Sequence, residues 1–66
     1  MVGQIGFIAG DIYSHLSTVD GATLSQLKTA LKQPPSMIQL AVGWLTREGK
    51  VEVVKKGSGF RVSRVD

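Results

Sequence analysis

The chain has no cysteine, one histidine and only five acidic residues among its 66 residues. Without cysteine it can form neither a disulfide nor a thiolate metal site. An enzyme needs a nucleophile, acid, base or metal held beside suitable partners, and the only pair of interest is His15 with Asp11. Helical spacing predicts that this pair is a solvated contact. We therefore expect no enzymatic activity, no metal or cofactor, and no small-molecule substrate.

Long apolar runs are also missing. The apolar start of the chain, residues 1–8, is interrupted by Gly3, Gln4 and Gly6 and is soon followed by Asp11. It has no basic segment before it, which argues against a signal peptide or a membrane span. We expect a cytoplasmic protein that does not bind membranes. Its length predicts one domain over residues 1–66, and such a small core favours support from a second subunit.

Apolar spacing predicts three helices. In the first, a buried face recurs at steps of three and four residues: Ile5, Ile8, Ala9, Ile12 and Leu16. A turn at Asp20-Gly21 follows. Thr23 and Gln26 have the spacing of a capping box, so the second helix begins near Leu24. Pro34 and Pro35 require that it end by about Lys32 or Gln33.

The start of the third helix has two explanations. Proline suits the first helical position, which favours Pro35, whereas Ser36 and Gln39 have the spacing of a second capping box. The sequence does not separate these alternatives. Gly49 closes the helix, and the apolar period then changes to two over residues 51–53 and 60–63. This change predicts a β-hairpin with residues 55–59 between its strands.

These elements predict an α+β winged helix-turn-helix, with a three-helix core and a C-terminal hairpin as the wing. Ala22 can pair with the hairpin as a short third strand. The second and third helices contribute buried faces, and the hairpin folds onto them. The expected core residues from these elements are Leu24, Leu27, Leu31, Ile38, Val42, Leu45, Val51, Val53, Phe60 and Val62.

Several segments together resemble a known family over about residues 5–65. They are Ile5-Gly6, Ala9-Gly10, Ile12-Tyr13, Leu16, residues 41–45 (AVGWL) and residues 47–51 (REGKV). The chain resembles small bacterial winged helix-turn-helix proteins of uncharacterised function. The resemblance implies a DNA-binding fold and homodimers, and it brings no assigned activity. The family often has a serine capping the third helix, where this chain has Pro34.

The predicted recognition helix is poorly equipped to read bases. No Lys or Arg occurs between Lys32 and Arg47, and only Ser36 and Gln39 offer side-chain hydrogen bonds near its start. Its apolar residues span an arc of about 200°, roughly twice the usual core-facing stripe. They are Met37, Ile38, Leu40, Ala41, Val42, Trp44 and Leu45. That excess predicts an additional contact surface.

We predict that this surface is a homodimer or partner interface formed by Phe7, Met37, Leu40 and Trp44. The alternative is that Trp44 and Leu40 pack within the same subunit, under the first helix or the hairpin. Both interpretations account for the wide apolar arc.

Basic residues are concentrated in the hairpin, where Lys55, Lys56, Arg61 and Arg64 lie around the turn at residues 57–59. Its glycines allow close approach to a phosphate or a minor groove. The alternative is that the lysines protect a sheet edge from aggregation and the glycines simply form the turn.

The sequence therefore predicts a DNA-binding, transcription-regulator-like module, homodimeric, with weak direct base readout. The alternative is a protein-interaction module whose apolar recognition helix contacts a partner. The candidate contacts to double-stranded DNA are Lys28, Lys32, Ser36, Gln39, Lys55, Lys56, Ser58 and Arg61.

Overall fold

The computed structural model describes residues 2–65, and it contains three helices and three strands in the predicted order. The helices are α1 (Val2–Leu16), α2 (Leu24–Leu31) and α3 (Pro35–Arg47). The strands are β1 (Ala22–Thr23), β2 (Val51–Lys56) and β3 (Gly59–Arg64). This arrangement confirms the predicted α+β winged helix-turn-helix.

The three helices and the base of the hairpin share one buried cluster. Its members are Ile8, Ala9, Ile12, Leu16, Ala22, Leu27, Ile38, Ala41, Val42, Leu45, Val51 and Val62, while Ile5, Leu24 and Leu31 are partly buried against it. The prediction was wrong for Val53 and Phe60, which are 38% and 44% exposed. The hairpin extends beyond the helices, so only its base reaches the core.

The sheet is antiparallel with the strand order β1-β3-β2. Ala22 pairs with Val62, which confirms the predicted third strand. The hairpin strands are longer than expected, because Lys56 pairs with Gly59 and only residues 57–58 form the turn. Gly57 has φ +60°, as a type II′ turn requires at its first central position.

The helix starts follow the local chemistry. The Gln26 backbone N–H donates to Thr23 Oγ1 at 3.0 Å, and the Thr23 N–H donates to Gln26 Oε1 at 2.9 Å. This confirms the capping box of α2. α3 begins at Pro35, with Pro34 as a cap residue that supplies no side-chain hydrogen bond. The Ser36 capping box is therefore not formed, and proline geometry determines the start.

The apolar excess on α3 is smaller than predicted. Ala41 is fully buried in the core and Met37 is partly buried against it. Leu40 and Trp44 remain 48% and 40% exposed. The arc narrows because α1 packs along this side of α3 and covers the residues nearest to it.

The turn between α2 and α3 contains a strained residue. Lys32 lies in the left-handed region at φ 55° and ψ 45°, and its N–H donates to the Lys28 carbonyl to close the helix. An L-residue with a side chain adopts this conformation at a cost of about 1 kcal/mol, which glycine avoids.

We expect Lys32→Gly to raise the free energy of unfolding by about 0.5 kcal/mol, as relief of the strain exceeds the extra entropy of the unfolded chain. The urea midpoint measures this change. Lys32→Ala removes the same charge and keeps the strain, so its midpoint should not rise. An equal gain in both variants would assign the effect to charge instead.

Candidate nucleic-acid interface

An open groove of about 640 Å³ lies between α3 and the wing. Gln39, Gly43 and Arg47 recur at steps of four on one side of α3 and line it. The full set of lining residues is Leu24, Gln39, Val42, Gly43, Thr46, Arg47, Val53 and Phe60. The groove thus has an apolar floor with polar groups on its helical side.

Arg47 is a residue of this groove that the sequence analysis did not select. In the sequence it ends a segment without cations and begins the family-like segment at residues 47–51. Its spacing of four from Gly43 and eight from Gln39 was the available signal, because residues so spaced share one helix face. Thr46 also lines the groove, but its hydroxyl donates to the Val42 carbonyl at 2.8 Å. Arg47 is a cation among the residues that line this groove.

A second, smaller groove of about 200 Å³ lies between α2 and α3. Lys28 and Gln39 both line it, together with Leu24, Ser25, Pro35 and Ile38. Gln39 belongs to both grooves, so it lies between Lys28 on one side and the wing on the other. The structure therefore brings these two predicted residues together. Lys32 and Ser36 are exposed nearby, at the turn and in the first turn of α3.

The basic residues of the wing are divided between its two faces. Lys55 pairs with Phe60 and lies on the face of Val53, which is directed towards α3. Lys56 pairs with Gly59 on the opposite face, and Ser58 is exposed in the turn. Side chains alternate along each strand, so neighbouring lysines cannot both face the groove.

Arg61 lies on the outer face, away from α3. A Cβ added to Gly21 would lie 2.6 Å from Arg61 Nε, so the guanidinium rests directly against the Gly21 backbone. A hollow of about 360 Å³ there is lined by Asp20, Val54, Lys55, Lys56, Arg61 and Ser63. The carboxylate of Asp20 reduces the positive potential of this hollow.

Arg64 lies at the base of the hairpin, where it contacts α1, and not at the tip of the wing. Its Nη2 donates to Tyr13 Oη at 3.1 Å, and its guanidinium carbon lies 4.3 Å from the centre of the Tyr13 ring. Lys50 Nζ lies 5.6 Å from the same ring centre. These cations attach the base of the hairpin to α1 through cation–π contacts.

The predicted partner interface is partly assembled. Phe7 and Met37 line one groove of about 400 Å³ between α1 and the turn that precedes α3. Phe7 is 79% exposed, the largest value among the exposed large apolar residues. Leu40 and Trp44 follow Met37 along α3 at steps of three and four. We call Phe7, Met37, Leu40 and Trp44 the helical patch.

Residues 2–65, which the structure describes, contain neither a cluster of metal ligands nor a helix that could span a membrane. No group of three or more His, Cys, Asp or Glu residues in this range could hold a metal ion. None of the helices in the same range is long and apolar enough to cross a membrane.

Comparison with known proteins supports the observed fold. A solution NMR structure of protein BT2368 from Bacteroides thetaiotaomicron matches with a TM-score of 0.83 and 29% identity, covering 94% of this chain and 76% of that one. The uncharacterised protein MJ1608 from Methanocaldococcus jannaschii is 40% identical over 58 residues, which cover 83% of this chain and 81% of that protein. A family described as a winged helix-turn-helix domain (DUF2582) matches residues 1–64. The chain therefore belongs to this winged helix-turn-helix family.

Proposed function

We propose that the protein is a homodimeric DNA-binding module of the transcription-regulator type. The observation that supports this most directly is the position of Gln39, which lines both grooves beside α3, with Lys28 in one and the wing in the other. A helix that enters the major groove needs phosphate contacts on both sides to fix its orientation. Lys28 supplies a cation in the groove beside α2, and Arg47 supplies one in the groove beside the wing. Lys55 is exposed farther along the wing.

Phosphate contacts account for most of the proposed affinity. Lys28, Lys32, Lys55 and Lys56 are exposed, and lysines that neutralise phosphates release counterions without reading the sequence. Arg47 adds a cation on the face of α3 that also carries Gln39 and Gly43. Arg61 contributes from the outer face of the wing, and Ser58 offers a hydroxyl at its tip.

Direct base readout falls mainly to Gln39, with Ser36 nearby. A glutamine amide can pair with the N6 and N7 atoms of adenine, and apolar side chains contact the thymine methyl group. The groove that Gln39 lines has Val53 and Phe60 in its floor. We therefore propose a modest preference for A·T pairs in the major groove.

The proposal also includes the cellular location of the protein and its class of activity. We place it in the bacterial cytoplasm as a non-catalytic binding protein. The absence of cysteine and the scarcity of histidine and acidic residues support the non-catalytic role. The bacterial setting rests on the resemblance to small bacterial winged helix-turn-helix proteins.

An amide NMR titration with two duplexes of equal length tests the proposal, one with a central A·T tract and one with G·C pairs. At low salt, we expect shifts at Lys28, Ser36, Gln39 and Lys55, with larger changes at Gln39 for the A·T duplex. Moderate salt should weaken all of them. The amide of Ile12, buried in the core, serves as the internal control. A spectrum that does not change at low salt with either duplex would contradict DNA binding.

The exposure of the helical patch supports a second candidate, a protein-interaction module. Phe7, Leu40 and Trp44 expose large apolar groups away from the groove beside the wing. Such a surface on a small protein marks an interaction site more often than a nucleic-acid contact. No change on adding DNA, combined with linewidths of a dimer, would favour this candidate.

A further inference from the structure

β2 forms an open edge of the sheet. In the order β1-β3-β2 it has β3 on one side and no strand on the other within residues 2–65. Residues 52–56 are all exposed, and Val54 is 52% exposed. An exposed edge of five residues is a template for pairing with another strand.

The hairpin register defines which backbone groups this edge presents. Lys56 and Gly59 close a two-residue turn and so form a hydrogen-bonded pair. Hydrogen-bonded and non-hydrogen-bonded pairs alternate along an antiparallel ladder. The Val65 N–H donates to the Lys50 carbonyl at 3.2 Å, as this alternation requires at the other end of the hairpin. Val51, Val53 and Lys55 therefore direct their N–H and C=O groups outward, away from β3.

The sequence of β2 is complementary to itself around Val54. If two copies pair antiparallel with Val54 on the two-fold axis, Glu52 of each copy lies opposite Lys56 of the other copy. The interface then contains two such pairs. The outward-facing residues Val53 and Lys55 then lie opposite each other and can form about four backbone hydrogen bonds. The Val54 residues of the two copies lie opposite each other in a close, non-hydrogen-bonded pair.

We propose that β2 is the homodimer interface, pairing with β2 of a second copy about a two-fold axis through Val54. An axis at Val53 would place Glu52 opposite Val54, and an axis at Lys55 would place two lysines opposite each other. Among the axes that keep the pairing within residues 51–56, only the axis at Val54 places the single acid of the strand opposite a lysine. The inference rests on the homodimer in the proposed function and is independent of DNA binding.

This interface has three consequences for the rest of the molecule. The axis is perpendicular to the sheet, so the α3 helices of both copies lie on the same side of the joined sheet. Lys56 is engaged by Glu52 of the second copy, whereas Lys55 keeps its side chain on the face directed towards α3. The helical patch is then free for another partner.

Sedimentation equilibrium on a charge-swap series tests the interface without DNA. Glu52→Lys and Lys56→Glu each place like charges opposite each other twice, and each should raise the dimer dissociation constant about tenfold. The double variant, E52K/K56E, should restore it to within about twofold of wild type. Glu48→Lys changes the net charge as E52K does, but it lies outside the strand and should have no effect. Circular dichroism verifies that each variant is folded.

A disulfide test determines the register, because the chain contains no cysteine of its own. In a non-hydrogen-bonded pair the Cα atoms are about 4.5 Å apart, within the range that a disulfide spans. Val54→Cys should therefore cross-link two copies rapidly under mild oxidation. Val53→Cys should react at the slower rate of random collision.

Three results would overturn the proposal in distinguishable ways. A monomer at high micromolar concentration would reject this interface and the homodimer together. If E52K leaves the dimer dissociation constant unchanged but Leu40→Lys raises it, the interface would be the helical patch and not β2. A dimer sensitive to E52K but not restored by the double variant would reject the pairing through Val54. The DNA titration remains a separate measurement in each case.

Discussion

Replacing Leu27 with alanine is expected to remove a large part of the free energy of unfolding. Leu27 is fully buried on α2 in the cluster that joins all three helices to the hairpin. Truncation of a buried leucine to alanine costs about 3 kcal/mol through lost transfer free energy and a residual cavity. At about 0.05–0.15 kcal/mol per residue, the whole protein has only about 3–10 kcal/mol. Urea unfolding followed by circular dichroism measures the loss.

Leu40→Ala is the matched control for this variant. It makes the same chemical change on α3 at a position that is 48% exposed, so we expect a loss below about 1 kcal/mol. Both variants should be compared at one protein concentration, because the proposed dimerisation would contribute to apparent stability. Equal losses in the two variants would show that burial in the observed core does not determine stability.

The double variant Lys55→Ala/Lys56→Ala is expected to produce the largest change in DNA binding. Each lysine that neutralises a phosphate contributes about 0.9 to the slope of log K against log salt concentration. The slope should therefore fall by about two if both lysines contact DNA, and by about one if Lys56 is held by Glu52 of a second copy. Affinity should fall for all sequences alike, because phosphate contacts do not distinguish bases. Fluorescence anisotropy with a labelled duplex, repeated at several salt concentrations, measures both quantities.

Lys50→Ala supplies the control. Lys50 lies next to Tyr13 at the base of the hairpin, at the opposite end of β2 from the tip of the wing. Its removal should leave the salt slope unchanged. The single variants K55A and K56A then separate the two faces of the wing. If K55A reduces the slope and K56A does not, the face directed towards α3 makes the contact. An unchanged slope in the double variant would exclude the wing from DNA binding.

Local sequence determined most of the secondary structure. Thr23 and Gln26 specify the start of α2 through two hydrogen bonds between neighbours in the chain. Proline chemistry separates α2 from α3, and Ala22 forms the predicted third strand. The capping box and the proline break were predictable because each depends on residues within one turn of one another. The pairing of Ala22 with Val62 joins distant residues and was predicted from the order of the elements. The start of α3 at Pro35 needed the structure, since two local signals competed there.

The arrangement of side chains on the surface was decided by tertiary structure. Apolar alternation along the hairpin was clear in the sequence, but it could not give the distance by which the wing extends beyond the helices. Val53 and Phe60 therefore line a groove instead of the core. Likewise, Ala41 joined the core because of how closely α1 approaches α3.

The candidate site shows the same division. The sequence by itself determined that the basic residues would concentrate in the hairpin and that the first half of α3 would lack them. Tertiary structure placed Gln39 between two grooves, added Arg47 to one of them and held Arg61 against Gly21 on the outer face. The reason is physical: caps, turns and periodicity act through neighbouring residues, whereas faces and grooves depend on how distant elements pack.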